Sequence, residues 1–327
     1  MTDGLTLSRR HAAGAPSARG LLFTVLGEFV LPNGSTAWTS ALIDAVARLG
    51  VEEKNVRQAL MRTAADGWLA SERVGRRTRW RLTAAAEEML TEGTERIYGF
   101  TGTASGWDGQ WLLALARVPE TDRPARHRLR TRMTWAGFGS PEPGVWISPH
   151  TDRLAEARRI LAEADARVFV ARQVPGYEVA AATTGPGDQD GGSRQNGDSG
   201  PNGGSSQHGR SSQHGGSGQN SGSGQNSGSG QDGGGDAAMA RQAWDLDGLE
   251  EDYEAFISDF LESSDGDVIA RLTALVHAWR RFPWTDPVLP AELLPQPWRG
   301  TQAAGLFHER HDQWSAGAQA AWAAINL

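Results

Sequence analysis

Lys54, Asn55, Arg57, Gln58, Met61 and Arg62 share one short segment with Val56, Ala59, Leu60 and Thr63, whose apolar groups recur at helical spacing. On an α-helix that apolar stripe faces a core. Lys54, Gln58, Met61 and Arg62 then face outward, with Asn55 and Arg57 on the flanks. Arg and Lys can fork onto guanine, and Asn and Gln onto adenine, so the outward face has the chemistry to read base edges in a DNA major groove. An ordinary solvated helix face has a similar composition, and the segment alone does not separate the two readings. The next stretch does. Arg73, Arg76, Arg77, Arg79 and Arg81 put five guanidinium groups on one candidate hairpin, which phosphate neutralisation explains directly. The competing role for such charges is to guard an edge strand against aggregation.

A further basic cluster, Arg117, Arg123, Arg126, His127, Arg128, Arg130 and Arg132, lies mostly on one predicted helix, where its spacing cannot turn every member the same way. Salt bridges, auxiliary DNA contacts, solvation or an anionic ligand would each use it. Catalytic constellations are sparse. His308 and His311 flank Glu309 at helical spacing but lack a convincing third ligand for a metal. The Gly-rich pieces carry no P-loop lysine, lie between no strand and helix, and form no Gly-x-Ser-x-Gly elbow. The expectation is a chain that is not an enzyme and has neither metal nor cofactor.

These side chains need elements to position them. Leu21, Leu22, Val25, Leu26 and Phe29 predict a helix over 17–29, stopped by Pro32, Asn33 and Gly34. Leu42, Ile43, Val46 and Leu49 predict a second, capped by Thr39 or Ser40 and ended by Gly50. The candidate reading helix covers 52–66, with Gly67 as its left-handed terminus. Strands over 71–74 and 78–82 around a turn at Gly75-Arg76 form a hairpin with one apolar and one basic face, and a helix over 84–94 follows. Helix, helix, helix, basic hairpin, helix is a winged helix-turn-helix.

Residues 107–173 read as strand 111–116, helix 123–136, strand 145–148, helix 152–164 and strand 167–172, with a short extra strand near Phe138, which approximates a ferredoxin-like β-α-β-β-α-β unit. The segment 184–237, built of Gly, Ser, Gln, Asn and Asp, has too little apolar surface to offset ordering entropy and reads as a coil spanning about 40 Å. Beyond it, 249–261 and 268–279 are amphipathic helices, 283–297 a proline-punctuated loop, and 300–325 one last helix or two. The fold class is therefore α+β. Its divisions are a disordered tail 1–16, a winged helix 17–98, a ferredoxin-like domain 99–183, the linker or insertion 184–237 and a helical domain 238–327.

The 327-residue chain carries −7, yet residues 1–83 hold 12 Lys and Arg against 7 Asp and Glu, a net of +5, which leaves −12 for the rest. The basic end is the end that carries the reading helix and the hairpin. Cysteine is absent, which removes disulfides, thiolate metal sites and cysteine nucleophiles and suits a cytoplasmic location. No run approaches the roughly 20 apolar residues that cross a bilayer, and the N-terminus lacks the order of a signal peptide.

In detail the sequence resembles the PaaX family, repressors of phenylacetic acid degradation operons. The resemblance rests on Ala18-Arg19-Gly20-Leu21-Leu22, on Asn55 through Arg62 with Gly67-Trp68-Leu69, and on Gly75-Arg76-Arg77 with Arg81-Leu82-Thr83. Arg96-Ile97-Tyr98, Trp107-Asp108-Gly109, Leu129-Arg130, Gly137-Phe138-Gly139 and Trp146-Ile147-Ser148-Pro149 continue it. Past the linker come Trp244-Asp245-Leu246, Arg281-Phe282-Pro283, Asp286-Pro287, Leu289-Pro290, Leu293-Leu294-Pro295 and Trp298-Arg299-Gly300. The long low-complexity insertion departs from the family pattern.

The resemblance implies a homodimer that binds a palindromic double-stranded operator, with a Cas2-like centre, and that phenylacetyl-CoA or a related acyl-CoA releases. A CoA thioester has phosphates at one end and an apolar acyl group at the other. Arg126, Arg128, Arg130 and Arg132, with Trp135 and Trp146, are the candidates to meet these two ends. Two alternatives accompany this reading. One is an acyl-CoA-binding protein or enzyme whose winged helix contacts proteins. The other is a metal-dependent nuclease, which lacks paired carboxylates beyond Asp108.

Overall fold

Ser17 starts the first helix, α1 (Ala18–Val25), by accepting a hydrogen bond from the Gly20 amide at 3.0 Å, and Leu21, Leu22 and Val25 are buried. The structure, a computed structural model, describes residues 17–104, 106–162, 164–174, 235–262 and 266–327. After α1 the backbone widens into a π turn, Leu26–Val30, that carries Glu28 and Phe29 inward, and Pro32 then closes the run in a short 3-10 turn. A strand absent from the sequence pattern follows, β1 (Thr36–Trp38).

The second helix, α2 (Thr39–Ala47), corrects one expectation: neither Thr39 nor Ser40 caps it, and Trp38 holds the cap position with no side-chain bond. The Thr39 hydroxyl instead donates to the Thr78 carbonyl at 3.0 Å and accepts from Trp80 Nε1 at 2.9 Å. The sheet lies next to the helix start, so a tertiary partner takes the group that local spacing assigned to the cap. The third helix, α3 (Glu53–Ala65), ends at Gly67, whose φ of +80° is open to glycine at little cost. The hairpin is β2 (Leu69–Val74) with β3 (Arg77–Leu82), and the sheet order is β1-β3-β2. Thr83 caps α4 (Ala84–Tyr98), which runs past the expected end near Thr94.

The central layer comprises β4 (Trp111–Arg117), α5 (Arg123–Trp135), β5 (Val145–Ser148), α6 (Leu154–Leu161) and β6 (Asp165–Ala171), in the antiparallel order β5-β4-β6. The short strand expected near Phe138 survives as one antiparallel bridge between Gly139 and Ile147. With it the spatial order matches the ferredoxin-like arrangement. Leu112, Ala114, Met133, Phe138, Ala157 and Ile160 form this layer's own core under α5 and α6.

The last part is helical: α7 (Gly235–Ala243), α8 (Leu246–Leu261), α9 (Val268–Trp279), the short α10 (Phe282–Thr285) and α11 (Arg299–Ile325), a single long helix. The expected coil 184–237 lies outside the described residues except for 235–237, which open α7. One continuous core runs from the winged helix into these helices. Phe29 stacks on Trp322 at 5.5 Å, α1 and α2 pack on α9, and Trp279 donates from Nε1 to the Ile97 carbonyl at 3.2 Å. Around Trp279 lie the rings of Phe100, Phe256, Phe282 and Phe307, all within 5.6 Å.

Candidate nucleic-acid interface

Val56, Ala59, Leu60 and Thr63 anchor α3 against α1 and α2, and this burial fixes which way the rest of the helix faces. Lys54, Asn55, Arg57, Gln58, Met61 and Arg62 are all exposed on the other side, as their spacing predicts. Met61 is 63% exposed, an apolar group that water alone would not favour there and that a thymine methyl would suit. Arg57 is drawn back to Glu53, one turn earlier, at 2.6 Å, whereas Lys54, Gln58 and Met61 project freely. A groove of about 510 Å³ runs along one flank of this face, with Ser17, Ala18 and Arg19 on one wall and Asn55, Gln58 and Arg62 on the other. Sequence reasoning missed the α1 wall, because nothing local announces that residues 17–19 meet α3. Arg19 is itself paired with Asp66 at 2.6 Å.

The five wing arginines divide. Register pairs Arg79 with Glu72 and Arg77 with Val74, and the pleat puts Arg77, Arg79 and Arg81 on one face and Arg73 on the face that carries Trp80 and Leu82. Glu72 takes Arg79 at 2.8 Å and Arg81 at 3.6 Å. The hydrogen bond from Arg79 and then its charge hold the Glu72 carboxyl below the usual range. Arg77 stacks 3.9 Å over Trp38 and donates to the Leu327 carbonyl at 2.8 Å, so the end of the helical region touches the wing. Asn326 adds to this contact by accepting from the Trp38 amide at 2.9 Å. Arg76, in the turn after Gly75 (φ +61°), is exposed, and Arg73 makes one long bond to the Gly75 carbonyl at 3.4 Å. Arg73 and Arg76, at the hairpin tip, have no carboxylate partner among the described residues, and Arg77 has only the carbonyl and the ring.

Arg126, Arg128, Arg130 and Arg132 are exposed along α5, and Trp135 stands 52% exposed at its end. Trp146 lies in the core beneath α5, 5% exposed. The structure therefore brings Trp135, and not the ring of Trp146, to the surface that carries the arginines. Trp284, also 52% exposed, carries Arg96 at 3.9 Å over its ring. His311 does not face His308 as a ligand pair; it meets the buried Glu28 at 3.1 Å, and Tyr98 donates to the same carboxylate. Among the described residues no group of three or more His, Asp and Glu is arranged to hold a metal, and no helix is long and apolar enough to cross a membrane.

Comparisons with known proteins agree with this architecture. Three family profiles match in chain order: PaaX-like protein over residues 17–86, PaaX protein central Cas2-like domain over 104–181, and PaaX-like protein C-terminal domain over 244–324. The chain is 26% identical over 313 residues to the transcriptional repressor PaaX of Escherichia coli (strain K12), covering 91% of this chain and 81% of the relative. A solved structure of an uncharacterized protein from Mycobacterium tuberculosis shares the fold with a TM-score of 0.56 and 23% identity, over 94% of this chain and 98% of that one. With its winged-helix, Cas2-like and C-terminal regions each matched in order, the chain belongs to the PaaX family.

Proposed function

We propose that the chain is a transcriptional repressor of a phenylacetate-type catabolic operon. It binds operator DNA as a homodimer in the cytoplasm, without enzymatic activity, and leaves it when an aryl-CoA thioester such as phenylacetyl-CoA binds. The observation that carries this is the outward face of α3. Lys54, Asn55, Gln58, Met61 and Arg62 are exposed there, beside a groove and a hairpin tip where Arg73 and Arg76 have no carboxylate partner among the described residues. In this reading α3 enters the major groove, Arg57 leaving Glu53 for DNA, and Arg73 and Arg76 lead the phosphate contacts while Arg77, Arg79 and Arg81 exchange their internal partners for phosphates as the wing docks.

Fluorescence anisotropy with operator and random duplexes over a salt series tests it. About three phosphates per subunit give a slope of log K against log salt of about −5 for a dimer. A slope near zero, or equal affinity for both duplexes, refutes sequence-selective DNA binding. For the effector, Arg126, Arg128, Arg130 and Arg132 with Trp135 offer a basic and aromatic surface, and Trp146 would join them only if α5 moved. A tenfold release needs about 1.4 kcal/mol of preference for the released geometry. Titrating the complex with phenylacetyl-CoA, phenylacetate and CoA separates the cases. Release by the thioester alone supports a two-ended site, and release by the free acid removes the basic half.

A further inference from the structure

Arg280, the residue that ends α9, stands apart from the other arginines at the seam between the winged helix and the helical region. Arg48 is paired with Asp44 and Asp267, Arg281 with Asp252, and Arg19 with Asp66. Arg280 has no hydrogen bond or ion pair from its side chain among the described residues, although it is partly buried. Burial lowers its pKa only to about 10, so it remains charged at neutral pH. A charge partly withdrawn from water and left without a partner costs free energy, which an anionic ligand arriving at its open side would offset.

Its surroundings sharpen the point. Arg280 Nη2 lies 3.2 Å, and Ser17 Oγ 3.0 Å, from the position a Cβ on Gly20 would take. The guanidinium therefore rests on the first turn of α1, at the end where the helix amides are positive, close enough that a side chain at position 20 would crowd it. His277 Cε1 is 3.2 Å from the same point, and its Nδ1 is 3.0 Å from the Thr24 hydroxyl. Burial, and then the Arg280 charge, hold His277 down to about 4, so the imidazole is neutral and adds no negative charge. Cation and helix terminus thus share one spot with no anion among the described residues. Ser17 also lines the groove beside Asn55, Gln58 and Arg62 of α3, so this spot adjoins the face assigned to DNA.

We propose that Arg280 and the Ser17-capped first turn of α1 form a phosphate site, and that its ligand is the DNA sugar–phosphate backbone flanking the major groove that α3 reads. The helical region then contributes a DNA contact of its own, through a residue more than two hundred positions beyond α3. This rests on the DNA-binding reading above.

The test compares the full chain with Arg280→Met, which keeps the stem and removes the charge, and with Arg280→Lys. Loss of one phosphate contact lowers the magnitude of the log K–log salt slope by about 0.9 per subunit. Arg280→Met should show that loss equally on operator and random duplex, with a thermal midpoint at or above wild type, because an unpaired, partly buried charge has gone. A merely structural arginine would lower the midpoint instead. Arg280→Lys should keep the slope. An unchanged slope in Arg280→Met overturns the proposal. Melting the free protein in sodium phosphate and in sodium chloride of equal ionic strength is the second arm. Stabilisation by phosphate that Arg280→Met abolishes, with DNA slopes unaltered, would reassign the site to a free phosphorylated ligand and overturn the DNA assignment. Wild-type protein that binds no duplex would defeat the repressor reading, and the phosphate arm would then decide the anion site separately.

Discussion

The winged helix and the central layer solve the same packing problem differently. The winged helix shares its core with the C-terminal helices: Phe29 meets Trp322, Trp279 sits among rings drawn from 100 to 307, and Glu28 reaches His311. The central layer keeps a small core of its own beneath α5 and α6, and the opposite face of its sheet lends Trp111 and Ile147 to the shared core while leaving Leu115 and Phe169 exposed. A reading head that shares a core with a distant helical region cannot tilt without disturbing it.

The comparison breaks most readily at its largest side chain. Trp279→Ala removes a fully buried indole and should cost about 3–5 kcal/mol. In urea, monitored by DNA binding and by helix signal, both probes should fall together. Met133→Ala, in the separate core, should cost about 2–5 kcal/mol. It should affect the central layer while leaving the winged-helix transition near its wild-type midpoint. A Met133 variant that shifts both equally would erase the distinction between the two cores.

Two buried titrating groups sharpen it through pH. Burial pushes Asp286 up to about 6, against hydrogen bonds from Tyr253 (2.6 Å) and the Val288 amide (2.6 Å) that favour its charged form. The folded state keeps a proton there that the unfolded state loses near pH 4. This contribution is complete below about pH 4 and is lost as pH rises through 6, on the order of 3 kcal/mol. His277, held down to about 4 by burial, acts the other way: the unfolded state takes up a proton near pH 6.5 that the folded state refuses. Stability falls as pH drops from 6.5 to 4, again by roughly 3 kcal/mol. His150, lowered by burial, adds to that side. The opposed effects nearly cancel, so denaturation between pH 4.5 and 6.5 should show little dependence from them in wild type. Asp286→Asn should make stability rise with pH, and His277→Gln should make it fall. Parallel profiles in the two variants would contradict this assignment.

Smaller effects belong to the reading face. Gln58→Ala should lose about 1–3 kcal/mol on the operator and little on random DNA. Equal losses on both would remove its base-reading role. Glu53→Ala breaks an exposed pair one turn apart and should cost only about 0.3–0.5 kcal/mol of stability, while freeing Arg57 for DNA. Weaker random-duplex binding by that variant would count against Arg57 as a DNA contact.

Much of this was written in short-range pattern. The stripe Val56, Ala59, Leu60 and Thr63 set the face of α3, Gly67 its end, and Gly75 the hairpin, because each depends on neighbours within a turn or two. The residues that carry the candidate interface on α3 were legible for the same reason. Pairing was not. Thr39 bonds to the sheet rather than capping its helix, Arg77 lies over Trp38 and against Leu327, and Arg79 is held by Glu72 while Arg76 is exposed at the turn. Trp135 and Trp146 have the same chemistry in sequence and opposite environments in space. Local sterics and periodicity settled most of the helices and strands and which face of each is apolar, but not β1, which exists through its pairing with β3. Only the tertiary structure decided that the winged helix and C-terminal helices share a core and that Arg280 has no partner among the described residues, because both depend on which groups far apart in sequence meet through burial, which no local spacing encodes.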